Sequence, residues 1–206
     1  MGIESFSTIY QRACKRKGGE KALESMLSAP LSSEQVAKIT DDRFLAAMTK
    51  QVFQSGFVWR VIEKKWPEFE TVFFGFNIEK VLLMPDEMLE QKASDKRIVR
   101  NYKKVMTVRD NAMFIKDIAR EHGSFGQFVA KFDASNITDL WTTMKKRGAR
   151  LGGNTGPYML RALGVDTFLF SRDVEDYLRK NDIIDGGLTS KKSLTAANAA
   201  FTQWHQ

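Results

Sequence analysis

The sequence predicts an all-α protein, and three observations predict it. In most of its apolar stretches the hydrophobic residues recur at i, i+3, i+4 and i+7, the spacing of a helix with one buried side. Glycine, proline and serine fall mainly between those stretches, where they punctuate. No run alternates as a strand does, apart from the short segments 71–74 and 167–170.

Taken in order, residues 5–15 place Phe6, Ile9, Tyr10 and Ala13 on one helical face, and Gly18-Gly19 closes the helix. Arg12, Lys15, Arg16 and Lys17 form a basic cluster that reads either as a solvated face or as a nucleic-acid contact. A short helix follows at 20–28. Pro30 and Ser32-Ser33 break it, and Ser33 is suited to cap a helix to Ile39. Thr40 or Asp41 caps a long helix, 42–55, with Phe44, Leu45, Met48, Val52 and Phe53 inward and Gly56 at its end. Residues 57–66 form the next helix, which stops before Pro67. The aromatic-rich segment 69–76 reads as core. Residues 78–83 and 85–92 are short helices, the second with Asp86-Glu87 at the positive end of its dipole. Residues 98–120 are the longest periodic stretch, with Val105, Val108, Ala112, Ile115 and Ile118 on the buried side. Further helices are expected at 125–132, 137–146, 157–163, 173–180 (capped by Ser171) and 189–204.

A length of 206 residues fits one domain, 1–206, with room for two lobes and a sizeable core. Lys and Arg number 32 against 25 Asp and Glu, a formal net charge of +7. That balance favours an anionic partner. The single cysteine, Cys14, excludes an internal disulfide and a four-cysteine iron–sulfur cluster. His122 and His205 are the only histidines, so a tetrahedral zinc site would need carboxylates or a second chain. No apolar run reaches the roughly 20 residues that cross a bilayer. The opening Met-Gly-Ile-Glu-Ser-Phe lacks the apolar core of a signal peptide. The expectation is a reducing, cytoplasmic setting and no membrane partner.

The chain is organised around Arg147–Asp173. Between the helices 137–146 and 157–163 lie Gly152, Gly153 and Gly156, with Asn154 and Thr155. Glycines at that density allow backbone shapes closed to other residues and let a ligand approach the main chain. Amides exposed at a helix N-terminus attract anions, phosphate above all. Lys145, Lys146, Arg147 and Arg150 lie just upstream and add positive charge. The same glycines would equally serve a plain helix–turn–helix corner that needs tight packing. The arrangement, about 137–164, resembles the helix–hairpin–helix of the DNA glycosylase superfamily, whose hairpin amides hold a DNA phosphate and whose catalytic aspartate lies beyond the second helix. Asp173, in Ser171-Arg172-Asp173-Val174, sits in the corresponding region. Asp166 is a second candidate, in a segment that also reads as a plain turn.

Three separated blocks resemble one family within that superfamily. They are Thr49-Lys50-Gln51-Val52-Phe53-Gln54-Ser55-Gly56-Phe57-Val58-Trp59, Arg97-Ile98-Val99-Arg100-Asn101, and Lys145-Lys146-Arg147-Gly148 before the glycine turn. In order and spacing they are similar to the 3-methyladenine DNA glycosylase I family, from about Asp41 to Asp173. The resemblance implies a two-lobed helical glycosylase fold with Trp59 stacking on the base; Tyr10 is assigned the opposite wall. It also implies a glutamate that reads the adenine; counting back from Gln54-Ser55-Gly56 and Trp59, that position falls on Gln51. A glutamine offers an acceptor and a donor pair where a carboxylate only accepts, so recognition of a cationic base is altered. Well-known members tie their two ends with a Cys/His zinc site. This chain lacks those ligands, so no metal and no cofactor are expected.

The implied activity is base excision from double-stranded DNA. A stacked base must be flipped out before it can be reached. Gly152, Gly153, Asn154, Thr155, Gly156, Arg150 and Lys146 would hold the phosphate backbone without reading sequence. Gln51 and Trp59 would receive the base, an alkylated purine such as 3-methyladenine. Asp173 would stabilise positive charge on the sugar or align the attacking water. Some superfamily members carry a nucleophilic lysine just after the hairpin; here that neighbourhood is Gly156, Pro157 and Tyr158, which implies a monofunctional enzyme that leaves an abasic site. A monomer is expected. Two rivals stay open: a helix–hairpin–helix DNA-binding protein without catalysis, and a helical interaction module whose basic charge serves solubility.

Overall fold

Thirteen α-helices carry residues 3–205, the part of the chain that this computed structural model describes; Met1 and Gly2, read above as part of the N-terminus, and Gln206 lie outside it. The centre is a pair of helices, α4 (Asp41–Gln54) and α8 (Tyr102–His122), which pack on one another. Phe44, Leu45, Met48 and Phe53 from the first meet a core that includes Val105, Val108, Ala112 and Ile115 from the second, all fully buried. The periodic stripes do what their spacing predicts: each helix buries the side on which its apolar residues recur.

Around this pair lie α5 (Trp59–Val72), α6 (Ile78–Leu82), α7 (Asp86–Ala93) and α9 (Phe125–Val129). The helices α10 (Ile137–Arg147) and α11 (Thr155–Ala162) form the hairpin, and α11 rests on α4. The N-terminal helices are α1 (Phe6–Lys17), α2 (Glu20–Glu24) and α3 (Ser33–Ala37); the C-terminal ones are α12 (Arg172–Lys180) and α13 (Lys191–His205). Ser32, not Ser33, caps α3, in a full capping box with Gln35. Ser171 caps α12 as expected.

Two expectations are corrected. The helix after Gly56 does not stop before Pro67: α5 starts at Trp59 and runs through the proline to Val72. Proline forfeits one ladder bond, yet Phe69 and Val72 beyond it are buried. A row of near-parallel rings, Trp66–Phe69 at 5.4 Å and Trp66–Phe76 at 5.5 Å, crosses the same site. Burial of these rings outweighs one lost bond, and Thr71 Oγ1 donates to the Pro67 carbonyl at 3.1 Å. The second correction concerns strands, of which there are none among the described residues. Thr71 belongs to α5 and Phe74 to a 3-10 turn, Phe74–Phe76. Segment 167–170 is a loop whose Phe168 stacks on Phe201 at 4.1 Å and meets Trp141 at a tilt of 56°, 4.5 Å away.

Candidate active site

α4, α5 and α11 enclose a cleft of about 530 Å³. Gln51 comes from α4, Trp59 from the first turn of α5, and Tyr158 from α11. Trp59 is half exposed and meets Tyr158 edge to face, with ring centroids 5.8 Å apart at 89°. Gln51 is only 7% exposed, yet its carboxamide hydrogen-bonds to no protein group among the described residues. Its amide atoms are not shut away from solvent, for the buried unpartnered side-chain atoms among the described residues are Thr49 Oγ1 and Asn198 Oδ1, so the carboxamide faces the open cleft and is free to bond to what enters it.

The turn that delivers Trp59 is pinned from α8. Lys104, almost fully buried, donates its ammonium to the carbonyls of Ser55 at 2.6 Å and Phe53 at 3.2 Å, closing the C-terminal end of α4. Burial first, and the neighbouring Arg150 second, hold that ammonium below its usual pKa. Arg150 belongs to the hairpin, so the hairpin mouth lies beside the turn that precedes Trp59. The cleft's carboxylates are neutralised. Glu63 takes Lys50 at 2.8 Å and Gln54 Nε2 at 2.9 Å, and Glu70 takes both arms of the Arg43 guanidinium, at 2.9 and 3.1 Å.

In the hairpin the glycines do two different jobs. A Cβ on Gly156 would meet the Leu151 carbonyl at 2.8 Å and Met144 Cε at 2.9 Å, so this glycine lets α11 close on α10. Gly153 has a left-handed φ of 61° and open space where a side chain would be. Arg150, also left-handed at φ 58°, is exposed. Of the five amides expected to face a phosphate, two do not. Thr155 donates to Gly152 O at 3.3 Å and Gly156 to Leu151 O at 3.2 Å. Those of Gly152, Gly153 and Asn154 have no partner among the described residues, and they are the ones available to an anion. Lys145, Lys146 and Gly153 border a groove of about 520 Å³, closed on its far side by Thr189 and Lys191 at the start of α13.

Two side chains fix this turn. Asn111 on α8, fully buried, makes a reciprocal pair with Ala149: it accepts from the amide at 2.8 Å and donates to the carbonyl at 3.2 Å. Asn154 Nδ2 donates to Phe170 O at 2.8 Å, tying the turn to the segment that leads into α12. The sequence reading missed Asn111, Lys104 and Tyr158. Lys104, Val108, Asn111, Ile115 and Ile118 are spaced along one face of α8, and two polar residues on an apolar stripe were the available signal.

The structure brings Gln51 and Trp59 into one cleft; it does not bring Tyr10 there. Tyr10 lies on α1, against Phe6, where its hydroxyl donates to Glu24, and that carboxylate pushes the phenol's pKa up. Tyr158 occupies the wall that Tyr10 was expected to form. Asp173 does not line the cleft either. It is exposed on the first turn of α12, four residues after Leu169, which does line it, and it makes no ion pair among the described residues. Asp166 faces His205 at 3.5 Å, away from the cleft. The zinc of the family's well-known members does not fit this chain. Cys14, His122 and His205 stand on α1, α8 and α13, and no group of three or more metal-binding side chains is found among the described residues.

Solved structures share this fold. A 3-methyladenine DNA glycosylase I is 20% identical, with a TM-score of 0.53 over 69% of this chain and 86% of that one. The enzyme from Staphylococcus aureus, solved to show how it recognises 3-methyladenine, is 23% identical, with a TM-score of 0.54 over 64% and 81%. A tyrosine-to-phenylalanine variant of 3-methyladenine DNA glycosylase I in complex with 3-methyladenine is 23% identical, with a TM-score of 0.52 over 70% and 84%. The methyladenine glycosylase family model matches residues 34–165, which hold α4, α5, α8 and the whole hairpin. The chain therefore belongs to the methyladenine glycosylase family and is a base-excision DNA glycosylase, a hydrolase of the N-glycosidic bond.

Proposed function

We propose that this glycosylase flips an alkylated adenine such as 3-methyladenine between Trp59 and Tyr158, reads it with Gln51, and releases it by hydrolysis without cutting the strand. The observation that carries the reading is a cleft-facing Gln51 carboxamide that bonds to no protein group among the described residues, beside a half-exposed tryptophan. The free amides of Gly152, Gly153 and Asn154, with Arg150 and Lys146, grip a phosphate of the damaged duplex and hold the nucleotide at the cleft mouth. Thr155 and Gly156 support that turn from within.

Asp173, on α12 outside the cleft wall, is the carboxylate we assign to the reaction, reaching the sugar and not the base. Glu63 and Glu70 are tied to cations, whereas Asp173 is unpaired, and Asn154 anchors the loop before it to the hairpin. As the bond between C1′ and the base lengthens, positive charge grows on the sugar, and an unpaired carboxylate stabilises it or orients the incoming water. No lysine stands at Gly156, Pro157 or Tyr158 to attack the sugar covalently. The protein works as a single-domain monomer in the cytoplasm; no helix among the described residues is long and apolar enough to cross a membrane.

Chromatography of bases freed from methylated duplex DNA tests this. Wild type releases 3-methyladenine. Asp173→Asn lowers the single-turnover rate at least a hundredfold, within the range of roughly 10²–10⁴ for a positioned proton-transfer group. Release that survives Asp173→Asn unchanged removes the aspartate from the mechanism.

A further inference from the structure

We propose that this cleft selects a purine by the hydrogen-bonding pattern of its 6- and 7-positions and not by positive charge, so that the enzyme also releases uncharged lesions such as deaminated adenine, hypoxanthine. This rests on the glycosylase reading of the same cleft.

The charges of the cleft wall come first. Its carboxylates, Glu63 and Glu70, are held by Lys50 and Arg43. Arg161, also in the wall, is exposed and has no ion-pair partner among the described residues. A cationic base therefore finds no free carboxylate and meets a surplus of positive charge.

The hydrogen bonds come second. Gln51 offers one acceptor and two donors that bond to no protein group among the described residues and face the cleft from an otherwise buried side chain. An adenine presents a donor at N6 and an acceptor at N7, which one carboxamide pairs with both. Hypoxanthine presents acceptors at O6 and N7, which meet the same amide through its NH₂. A purine methylated at N7 has no acceptor there and loses a bond. Trp59 stacks on a purine face whatever its charge.

The chemistry fits as well. Hydrolysis breaks C1′–N9: a water oxygen bonds to C1′ and the base leaves with the electron pair. One water proton stays on the new sugar hydroxyl. The other ends on the base when the lesion is neutral, and is released to solvent when the lesion is cationic. A neutral purine thus departs with negative charge building on its ring, N7 included. A donor from Gln51 stabilises that charge in the transition state; a carboxylate there would oppose it.

The test uses the full chain, duplexes carrying a single hypoxanthine, and methylated DNA that supplies 3-methyladenine and 7-methylguanine. Wild type is expected to release 3-methyladenine and hypoxanthine and to spare 7-methylguanine. Gln51→Glu is expected to cut hypoxanthine release at least tenfold relative to 3-methyladenine. Gln51→Met, of similar volume and shown folded by circular dichroism, is expected to lose both. Release of 3-methyladenine with hypoxanthine left intact overturns the proposal and leaves the glycosylase reading standing. So does an unchanged ratio in Gln51→Glu, or 7-methylguanine released as fast as 3-methyladenine. Release of no base from any duplex overturns the glycosylase reading itself.

Discussion

The hairpin and the N-terminal helix are both held by side-chain hydrogen bonds, Asn111 foremost in the one and Glu4 in the other, and the anchors differ in kind. Asn111 reaches the hairpin through two neutral hydrogen bonds from a fully buried position. Glu4 holds α1 to α12 and α13 through exposed and half-buried contacts. Its carboxylate takes Arg12 at 2.7 and 2.9 Å and Tyr177 Oη at 2.7 Å, and its carbonyl takes Trp204 Nε1 at 2.8 Å. α1 itself buries no residue. The hairpin lies inside the part of the chain that matches the family, and the Glu4 cluster lies outside it. A phosphate grip needs a turn fixed to a fraction of an ångström, which buried directional bonds provide. A terminal helix needs only to be docked, and surface contacts suffice. The cluster also joins α1 to α12 and α13.

Breaking the buried anchor gives the largest effect. Asn111→Ala orphans the amide and carbonyl of Ala149, and each uncompensated group costs about 1–3 kcal/mol. We expect about 2–3 kcal/mol in all, a fall in Tm of roughly 5–10 °C for a chain this long, with weaker DNA binding. Thermal denaturation with the melting point unmoved would show that the turn is held by other means. Lys104→Met is next. It removes two charge-assisted bonds, offset in part by the desolvation that the buried ammonium no longer costs, for about 2 kcal/mol net, and frees the turn before Trp59. The expected signs are a lower Tm and poorer base release from an intact hairpin.

These two anchors also mark what the sequence does and does not disclose. Gln51 and Trp59 were singled out through the resemblance to the family, and the helix, glycine turn and second helix between them are why they share one cleft. The helices were legible because apolar periodicity reports burial directly. Tyr10 misled because an aromatic on an amphipathic face looks the same whether it lines a cleft or lies on the surface beside Glu24. Tyr158 follows Pro157, in a segment that reads only as the start of a helix; its wall position depends on how α11 lies against α4, a long-range fact. Pro67 misled for the same reason, since the ring stack that carries α5 past it is formed by packing. The outward amides of the hairpin could not be told from the inward ones without knowing which carbonyls each amide meets.

A smaller effect separates the hairpin from the helix beside it. Lys191 and Thr189 face Gly153 across one groove, from a part of the chain beyond the family match. If α13 helps to grip DNA, Lys191→Ala weakens binding severalfold for every sequence. It also reduces the slope of log affinity against log salt by roughly 0.9, one phosphate contact. Affinity and slope equal to wild type would confine the phosphate grip to the hairpin.

The exposed anchor gives the smallest effect and the one most open to solvent conditions. Arg12 first and Tyr177 second lower the Glu4 pKa from the ordinary 4.5 to about 2. A carboxyl held lower in the fold than in the open chain contributes fully above its unfolded value, and loses that contribution as pH falls through the folded one. Docking of α1 should therefore weaken between pH 4.5 and about 2. The buried Asn111 bonds carry no titrating group and should not change over that interval. Amide hydrogen exchange, corrected for its intrinsic pH dependence, reads the two anchors separately. α1 should exchange faster toward pH 2 while the bonded amides of Gly148 and Ala149 stay protected, and Glu4→Gln should give α1 the acid behaviour already at pH 7. Equal loosening of both regions in acid would mean that the two anchors fail together, and that the contrast between a buried and a surface attachment does not govern this molecule.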